Sequence, residues 1–562
     1  MGGIEHGLLA SREGRSRFGM AGEKTKVKKI VFNSWEYLAD SDKARGLIAN
    51  MIKMGSPVVD RGGVMSWLVY DELGIHAQPM TEKNLRAEMD ETSTYMVRQM
   101  VELLDQDNKP ILNPETGKPL SAYRPVDSRI PGVVIDTAFG LRDKGLWKLR
   151  GTLTHPILNK DGEYVIINGL NFKDVDIKGV TVKKSELNLY DGYDPISQYF
   201  FALPEKSKAA LEGIIDLIPT VEQVKTAVSY IDFFMDDFVF ATKSAKASAV
   251  AFMLTMLCRE MIEGYVPMLE VRAPESQSGK SLLVKMMLWA ITGEEPRYYS
   301  PNFRNIEEFE KELFALLLQG RNYVFLDDVQ GKVQSSFLDS CLTGKYISKR
   351  VLGVSQTATV YTGMPFVMTA NNPTISEDMK NRIYLLDILK PSENKEYRHK
   401  LPEKDALRMG PALIKALFTL YNNWDKNYKR QPWQEKRIAG FSEWSAVQGG
   451  ILAAAGIDGF LDDTLIQIKE IDPKLEQAAG MARPWYEKYG SEWIFVKDTF
   501  DFALTAGYIK ETDTTQAKIQ AIARKLNKLR RVKLPGGYYF ERNDDQSRGS
   551  QWRVVQDAGS IG

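Results

Sequence analysis

The sequence predicts an α/β protein built around a parallel sheet, with a mixed α+β region before it and a small unit after it. Apolar runs of strand length alternate with helical patterns over residues 206–400, which is typical of a parallel sheet. One of those strands opens into a small polar loop followed by a helix. The 562 residues are 43% hydrophobic and 26% charged, so disordered and fibrous classes are excluded. A chain of this length is expected to form several domains, because single cores stop growing near ~250–300 residues.

Composition and turn signals divide the chain into segments of different character. Residues 206–400 carry the alternating pattern, and residues 401–483 are helical. Residues 484–562 form a small, locally basic unit. Residues 1–25 are expected to be a disordered leader, and residues 26–205 a collar or interaction domain.

Two local patterns add detail to this division. The apolar spacing over Thr81–Leu104 predicts one amphipathic helix. The Gly449-Gly450 pair is expected to interrupt the helical region, because glycine weakens a helix interior.

Charge and cysteine counts exclude several kinds of protein. Lys and Arg number 74 and Asp and Glu 73, so any nucleic-acid surface must be local. Two cysteines, Cys258 and Cys341, and four histidines provide neither a disulfide framework nor a zinc-ligand spacing. The longest apolar run, residues 247–258, is shorter than the ~20 residues that span a membrane. We therefore expect an intracellular protein without a structural metal or a membrane partner.

The stretch from Met268 to Ser281 has the strand–loop–helix pattern of a phosphate-binding P-loop. Backbone N–H groups of such a loop and of the following helix have no intrahelical partner, so they can bind phosphate. Lys280 would reach the β- and γ-phosphates, and the Ser281 hydroxyl would ligate Mg²⁺. Pro274 occupies the position of the usual first glycine. The predicted nucleotide-binding residues are Glu275, Ser276, Gln277, Ser278, Gly279, Lys280 and Ser281.

A second buried strand, predicted over Asn322–Asp328, ends in two carboxylates. Asp327 is predicted to hold Mg²⁺ through its water shell, and Asp328 to polarise the attacking water. The alternative is a strand that ends at a capped helix, since aspartates often occur there.

A third buried strand begins at Met364 and delivers Thr369, Asn371 and Asn372 to the end of the strand. The Asn371 amide is predicted to orient the attacking water against the γ-phosphate. Ligands of open α/β sheets bind at the carboxyl ends of the strands, where all three strands are expected to meet. The three patterns together predict a nucleotide-hydrolysing core.

Arg382 comes just before another apolar strand. An arginine at this place could reach the γ-phosphate bound to a neighbouring subunit and stabilise the charge of the transition state. The alternative is a surface arginine that caps the strand.

A basic hairpin is predicted between the second and third strands. Two β-branched runs flank residues 353–356, and the hairpin carries Lys345, Lys349 and Arg350. Such a hairpin would suit a central channel that grips a nucleic-acid backbone. A solvated edge hairpin, kept from aggregating by its charges, explains the same residues.

The order of these motifs resembles that of superfamily 3-like AAA+ helicases. More closely, it is similar to the helicase part of primase–helicase replication proteins encoded by phages and integrated mobile elements. The resemblance covers most of residues 125–465. Pro274, and Asn381 where such proteins often carry a second arginine, depart from the family pattern. The motifs that carry the resemblance are Gly-Lys-Ser281, Leu-Asp-Asp328, the hairpin around Arg350, Thr-Ala-Asn-Asn372 and Asp378 to Arg382.

The resemblance implies a ring-forming, ATP-driven DNA translocase with Mg²⁺ that replicates a phage or mobile element. It implies a homo-oligomer, expected to be a hexamer, acting on single-stranded and forked DNA in the cytoplasm of a bacterial host. A separate primase or polymerase is a further expected partner. Priming by this chain is rejected, because the Asp174-Val-Asp176 pair is followed by no histidine before His399.

The C-terminal unit is predicted to be a winged helix. Asp513 to Gln516 has the pattern of a capping box that opens an amphipathic helix. Strand patterns follow at 538–541 and 551–555, separated by a polar turn. The unit is predicted to bind duplex DNA through its phosphates, and a protein-binding winged helix is the alternative. The predicted DNA contacts of this helix and its end are Lys518, Arg524, Lys525, Lys528 and Arg531.

Two other functions fit the same motifs. A replication initiator could use the ATPase only to remodel an origin. A nucleotide-switched scaffold could assemble without translocating.

Overall fold

The structure is a computed structural model of two compact units, Met1–Thr464 and Leu465–Gly562, here called the first and second units. The leader predicted over residues 1–25 lies outside the described residues, and the finer division by composition stays a prediction. The structure describes residues 30–34, 38–54, 56–71, 74–165, 175–177, 180–182, 191–204, 211–275, 277–351, 356–371, 373–392, 395–469, 473–532, 534, 537–543 and 551–556.

The described strands form several separate sheets. The strands are β1 (Ile30–Ser34), β2 (Val58–Arg61), β3 (Val64–Asp71), β4 (Gly74–Pro79), β5 (Ser93–Glu102), β6 (Ser121–Asp127), β7 (Trp147–Lys148), β8 (Gly151–Leu153), β9 (Val175–Ile177), β10 (Val180–Val182), β11 (Asp191–Tyr193), β12 (Tyr199–Ala202), β13 (Val239–Phe240), β14 (Met268–Arg272), β15 (Val324–Val329), β16 (Lys332–Val333), β17 (Tyr346–Arg350), β18 (Thr357–Tyr361), β19 (Phe366–Ala370), β20 (Thr374–Ile375), β21 (Ile383–Leu389), β22 (Ile494–Phe495), β23 (Tyr538–Arg542) and β24 (Gln551–Gln556).

The described helices occur in both units. They are α1 (Asp40–Lys53), α2 (Glu82–Thr92), α3 (Gly132–Gly140), α4 (Val221–Phe234), α5 (Lys243–Cys258), α6 (Lys280–Thr292), α7 (Ile306–Leu318), α8 (Ser336–Thr343), α9 (Glu377–Lys380), α10 (Pro402–Asn422), α11 (Ser442–Ala454), α12 (Asp462–Lys469), α13 (Pro473–Tyr489), α14 (Phe500–Thr505) and α15 (Thr515–Lys528).

The central sheet of the first unit has the strand order β13-β21-β14-β19-β15. β14 pairs in parallel with β19 and β21, β15 pairs in parallel with β19, and β13 is antiparallel at one edge. Helices α6 and α7 form the connection between β14 and β15, as a parallel pair requires. Every residue of β19 is buried, which explains why all but Thr369 are apolar. The predicted α/β class is therefore confirmed, as a mixed α/β chain with several sheets.

The N-terminal region is fastened to this core by one buried arginine. Arg61, at the end of β2, is 1% exposed, and its guanidinium donates to four carbonyl oxygens. Two of these belong to Leu317 and Leu318 at the end of α7, at 2.6 and 3.1 Å. The other two belong to Leu149 and Arg150, at 3.1 and 2.5 Å. Burial lowers the pKa of Arg61 to about 10, so the guanidinium is still a cation at neutral pH. The partial negative charge at the carbonyl end of α7 stabilises this cation.

Further contacts join the same two regions. The Ala77 and Thr152 amides donate to the Gln319 and Gly320 carbonyls, each at 2.7 Å. The described part of the predicted collar is thus packed on the core within one compact unit. Its role as a collar stays a prediction.

The predicted helix over Thr81–Leu104 is wrong in its second half. Helix α2 ends at Thr92, and the chain continues as β5, which pairs with β1 and β6. The side chains that follow Ser93 are β-branched, aromatic or long, and they fit a pleated sheet once two neighbouring strands are available.

The Gly449-Gly450 pair does not interrupt a helix, because both residues lie within α11. A Cβ atom at Gly449 would overlap the Trp433 ring. One at Gly450 would lie 2.6 Å from Trp424 Nε1. The glycines therefore allow two tryptophans to pack directly on the helix backbone.

The second unit has a three-stranded antiparallel sheet in the order β22-β24-β23. Its core contains three completely buried aromatic side chains, Trp485, Phe540 and Trp552. Thr514, rather than the predicted Asp513, caps α15 by accepting a hydrogen bond from the Ala517 amide at 3.3 Å. Asp513 instead accepts from the Lys510 amide at 2.8 Å.

Across the described ranges, helices are either too short or too polar to cross a lipid bilayer.

One buried carboxyl group in the central sheet makes stability depend on pH. Glu270 lies on β14 with no exposed surface, and within the described residues its carboxyl oxygens have no hydrogen-bond partner. Burial raises the pKa of Glu270 from 4.5 to about 7, with Arg272 opposing the shift and Asp387 adding to it. The folded protein therefore keeps a proton that the unfolded chain releases between about pH 4.5 and 7. The free energy of unfolding falls as pH rises through that window.

Glu270→Gln should remove this contribution, because the amide does not ionise. We expect the fall in unfolding free energy between pH 5 and 7 to become less steep by up to about 1.4 kcal/mol per pH unit. Urea unfolding at several pH values measures it, with Glu396→Gln, at an exposed side chain, as the control. Some pH dependence should remain, because burial also raises the pKa of Glu294 to about 7. An unchanged slope in Glu270→Gln would show that Glu270 ionises normally.

Candidate functional site

The candidate site lies at the carboxyl edge of the central sheet. β14, β15 and β19 run in parallel, so the segments after them emerge side by side. The loop between β14 and α6 borders this edge. At this edge the amine of Lys280 and the hydroxyl of Ser281 meet the polar side chains of Asp327, Asp328 and Asn371.

The loop between β14 and α6 turns through two residues in the left-handed region. Gln277 has φ 59° and Gly279 has φ 91°. A Cβ atom at Gly279 would also lie 3.3 Å from the Phe238 ring, so both conformation and space favour glycine. Gly279 is the residue before the first turn of α6, whose leading N–H groups have no helical partner. These leading N–H groups are therefore available to a ligand beside the turn.

The other predicted loop residues occupy different surroundings. Ser278 is 3% exposed, and its hydroxyl has no hydrogen-bond partner within the described residues. Glu275 forms a long, largely exposed ion pair with Lys390, at 3.7 Å. Ser276 lies outside the described residues.

Lys280 connects the helix to the other strands. Its ammonium group donates to Asn371 Oδ1 at 2.7 Å, and Asn371 Nδ2 donates to Asp328 Oδ1 at 3.0 Å. Lys280 is 8% exposed. Burial lowers its pKa, and the charges of Asp328 and Asp327 oppose that shift. A buried ammonium group at the start of α6, next to helix N–H groups that have no partner, is well placed to bind an anion.

Asp327 is held by two hydroxyl groups. Ser281 Oγ lies 2.5 Å from Asp327 Oδ1 and Thr369 Oγ1 lies 2.6 Å from the same oxygen. Ser281 and Asp327, which were predicted from separate motifs to bind the same metal, are therefore direct neighbours. Within the described residues, no group of three or more His, Cys, Asp or Glu side chains could hold a metal.

Asp328 adopts an unusual backbone conformation. Its φ is 54°, and the register between β15 and β19 shifts between Leu326 and Val329, so the strand bulges at the aspartate pair. A left-handed conformation costs a non-glycine residue on the order of 1–2 kcal/mol. Asp328 is exposed and its second oxygen accepts from Gln330 Nε2 at 3.0 Å. The bulge thus turns the second carboxylate out of the strand toward the edge.

Arg382 lies at the opposite edge of the sheet. Its carbonyl accepts from the Met268 amide at 2.9 Å, at the start of β14. The five residues of β14 separate the two edges by roughly 16 Å. Arg382 Nη1 lies 3.5 Å from Asp339 Oδ1 on α8, and the same nitrogen donates to the Asp378 carbonyl. The structure therefore does not bring Arg382 together with Lys280 of the same chain.

The predicted hairpin is confirmed, since β17 and β18 pair in antiparallel fashion. Residues 352–355 at its tip lie outside the described residues. Lys345, Tyr346 and Arg350 are exposed, with Tyr346 at 61%. Lys349 alternates to the other face, where its ammonium pairs with Glu310 at 3.0 Å. The predicted basic residues of the hairpin are therefore divided between two faces.

The hairpin is also attached to the N-terminal region. The Thr359 amide on β18 donates to the Gly62 carbonyl at 2.9 Å. Gln356 Nε2 donates to the Phe139 carbonyl at 3.2 Å. Neither contact follows from the sequence, because more than 200 residues separate the partners.

The predicted basic residues of the second unit differ in how free their charges are. Arg524, Lys528 and Arg531 are exposed. Lys518 donates to the Glu511 carbonyl at 3.0 Å, and the Lys525 ammonium lies 4.8 Å from the centre of the Tyr508 ring.

The sequence does not predict the contacts of three of these side chains. Asp339 and Glu310, the partners of Arg382 and Lys349, carry no sequence signal that links them to those cations. Thr369 was placed at the strand end by the motif, but its two contacts depend on the bulge, which a pattern of apolar residues does not reveal.

Comparison with known proteins gives weak similarity only. Neither a protein-family model nor a curated protein sequence matches this chain. Solved structures that match include the apo C-terminal region of NrS-1, at 11% identity and TM-score 0.38, covering 85% of this chain and 86% of that one. They also include JCV helicase, at 15% identity and TM-score 0.23, covering 49% of this chain and 70% of that one. Similarity at these TM-scores does not establish a shared fold, so the function has to be inferred from the site.

Proposed function

We propose that this chain is an ATP-dependent, ring-forming DNA helicase that acts in the replication of a phage or mobile element. The observation that carries the proposal is the connected set of polar side chains at the carboxyl edge. Lys280 contacts Asn371, Asn371 contacts Asp328, and Ser281 contacts Asp327. The helicase motifs of the sequence and the exposed basic face of the hairpin support it.

The loop over residues 275–281 and the start of α6 would hold the phosphates of ATP. Left-handed residues at 277 and 279 turn the backbone, and the helix offers unpaired N–H groups. Lys280 would neutralise the β- and γ-phosphates, a role for which its ammonium is already buried and aimed at the edge. In this proposal residues 274–281 are a P-loop.

The residues present fit a magnesium ion. Ser281 Oγ and Asp327 Oδ1 lie 2.5 Å apart, so both oxygens can face one small cation together with phosphate oxygens and water. Mg²⁺ prefers few protein ligands, which agrees with a pair of oxygens rather than a cage. When bound, the ion would neutralise charge on the β- and γ-phosphates.

Asp328 and Asn371 would prepare the attacking water. Asp328 is the carboxylate that the bulge turns outward, and the Asn371 amide fixes one of its oxygens. A carboxylate at this place can accept a proton from water, and an amide can hold the water in line with the γ-phosphate. Asn371 contacts both Lys280 and Asp328. A γ-phosphate that binds Lys280 would therefore also change the surroundings of Asn371 and Asp328.

The position of Arg382 supports a ring. An arginine at the opposite edge of the sheet cannot reach the nucleotide of its own chain, but it can serve the nucleotide of a neighbouring copy. A closed heterologous interface repeats this arrangement around a ring. We propose a homo-oligomer, a hexamer in the simplest case.

Two surfaces would contact DNA. Lys345, Tyr346 and Arg350 of the hairpin are exposed, and cations together with an aromatic ring suit the backbone charge and base stacking of single-stranded DNA. The α15 helix of the second unit, proposed as part of a winged helix, carries exposed Arg524 and Lys528 for duplex DNA. A replication fork presents both kinds of DNA, and a separate primase or polymerase would act beside this protein in the cytoplasm of a bacterial host.

Lys280→Ala should reduce ATP hydrolysis by at least about 100-fold, because the γ-phosphate loses its buried cation. Asp328→Asn should still bind ATP and yet turn over slowly, since an amide cannot accept a proton from water. Phosphate-release assays and nucleotide-binding titrations measure the two effects. Lys285→Ala is the control, because that ammonium lies over the Tyr298 ring at 4.0 Å. Wild-type hydrolysis by Asp328→Asn would exclude the role proposed for Asp328.

Arg382→Ala should bind ATP normally and hydrolyse it about a thousandfold more slowly, if it acts on a neighbouring chain. Mixing Arg382→Ala with Lys280→Ala should restore part of the activity, because some interfaces then combine an intact Lys280 with an intact Arg382. Arg408→Ala, at an exposed helix position, is the control. Lack of recovery after demonstrated subunit exchange would contradict action between chains and direct attention to Arg350.

Lys345→Gln with Arg350→Gln should abolish DNA-stimulated hydrolysis and unwinding, while basal hydrolysis and assembly persist. Each lost phosphate contact should lower the slope of log affinity against log salt by ~0.7 for single-stranded DNA. Arg524→Gln with Lys528→Gln removes the same charge from α15 and should weaken duplex binding without stopping unwinding of a fork. Unwinding assays and salt titrations on both pairs test the assignment. Normal unwinding by the hairpin pair would leave the hairpin as a solvated edge.

A further inference from the structure

We propose that Thr369 is the residue that positions both carboxylates of the candidate ATPase site. The inference rests on the proposed function and adds to it a residue that touches neither ATP nor the metal. Thr369 lies on β19, directly beside the bulge of β15, and it is 1% exposed. Its side chain therefore faces protein rather than solvent.

The Thr369 hydroxyl uses both of its hydrogen-bonding capacities at once. It donates to Asp327 Oδ1 at 2.6 Å and accepts from the backbone amide of Asp328 at 2.9 Å. The direction of each bond is fixed, because an amide can only donate and an ionised carboxylate can only accept. One hydroxyl thus holds the side chain of the first aspartate and the backbone of the second.

The second contact explains how the bulge is maintained. At a bulge the extra residue loses its partner in the ladder, and its amide is left without a backbone hydrogen bond. Thr369 replaces the missing partner for Asp328, whose φ of 54° would otherwise be unsupported. The Thr369 hydroxyl therefore supports the backbone that turns the Asp328 carboxylate outward, while Asn371 and Gln330 hold the carboxylate oxygens.

The first contact fixes the carboxylate that would face the metal. Asp327 Oδ1 receives both the Ser281 and the Thr369 hydroxyls. The Ser281 oxygen would have to turn from Asp327 to the ion when Mg²⁺ binds, whereas Thr369 can keep its bond. Thr369 can therefore hold Asp327 both with and without bound Mg²⁺.

Only a small side chain with a hydroxyl can fill this role. Valine has the shape of threonine but can neither donate nor accept, and serine keeps the hydroxyl and loses a methyl group. These two substitutions separate the hydrogen bonds from the packing. Alanine would change both together.

Thr369→Val should lower kcat by roughly 10- to 100-fold, because a displacement of a reacting group by about 1 Å lowers the rate by this much. The affinity for ATP measured without divalent cation should change little, since the loop and Lys280 are untouched. The Mg²⁺ concentration for half-maximal activity should rise. Thr369→Ser should restore kcat and the Mg²⁺ requirement to near the wild-type values. Steady-state kinetics over a range of Mg²⁺ concentrations measures all three quantities.

Thr255→Val is a matched control for the loss of a buried hydroxyl. Thr255 has no exposed surface, donates to the Ala251 carbonyl at 2.6 Å and accepts from Trp444 Nε1 at 2.9 Å. The chemical change is the same as at Thr369, but it lies on α5 rather than on a strand of the site. We expect normal kcat and Mg²⁺ dependence in folded Thr255→Val.

The outcomes distinguish this inference from the proposed function. Wild-type kcat in Thr369→Val would overturn the inference and leave the ATPase standing. So would a low kcat in Thr369→Ser, a result that remains informative even if Thr369→Val does not fold. Equal losses in Thr369→Val and Thr255→Val would reduce Thr369 to a structural residue. A wild-type protein without ATPase activity would overturn the proposed function and this inference with it.

Discussion

Parallel pairing of β14, β15 and β19 is the constraint on which the candidate site depends. Strands that run in the same direction end at the same edge, so residues far apart in the sequence meet there. Lys280 and Asn371 are 91 positions apart and touch at 2.7 Å. β14 pairs with β19, which leads to Asn371, and β15 with the two aspartates lies on the far side of β19. Reversing any one of these strands would remove its polar group from the site.

The same sheet separates two roles in space. Groups at the carboxyl edge face the nucleotide proposed for this chain, and Arg382 at the amino edge is held by Asp339 and the Asp378 carbonyl. Release of Arg382 from these partners would be needed before it could act on a neighbour. Assembly and hydrolysis would then be coupled, since the arginine reaches a phosphate only where two chains meet.

Much of this site could be predicted from the sequence, because strand length, apolar runs and the Gly-Lys-Ser turn are local signals. The end of helix α2 and the position of the glycine pair within a helix could not be predicted, because both depend on contacts with residues far away in the sequence. Ser93–Glu102 became a strand because β1 and β6 lie beside it, and Gly449 fits a helix because Trp433 covers it. The bulge at Asp328 and the buried hydrogen bonds of Arg61 likewise depend on strand register and burial, which no local sequence pattern specifies.

The buried contacts of Arg61 attach the N-terminal region to the core. They join β2 to the carbonyl end of α7, and the turn after β2 also contacts the hairpin strand β18. The hairpin is therefore attached to a region that is itself fixed to the core. Movement of the proposed DNA-binding surface would have to involve that region as well.

Electron cryomicroscopy of the protein with Mg²⁺, a slowly hydrolysed ATP analogue and forked DNA would show whether the proposed ring and nucleotide site form. We expect a closed ring in which the γ-phosphate lies within hydrogen-bond distance of Lys280 and beside Arg382 of the neighbouring copy. One DNA strand should pass through the ring in contact with Lys345 and Arg350. Monomers, or a ring with no nucleotide at the edge formed by Lys280, Asp327 and Asn371, would contradict the account.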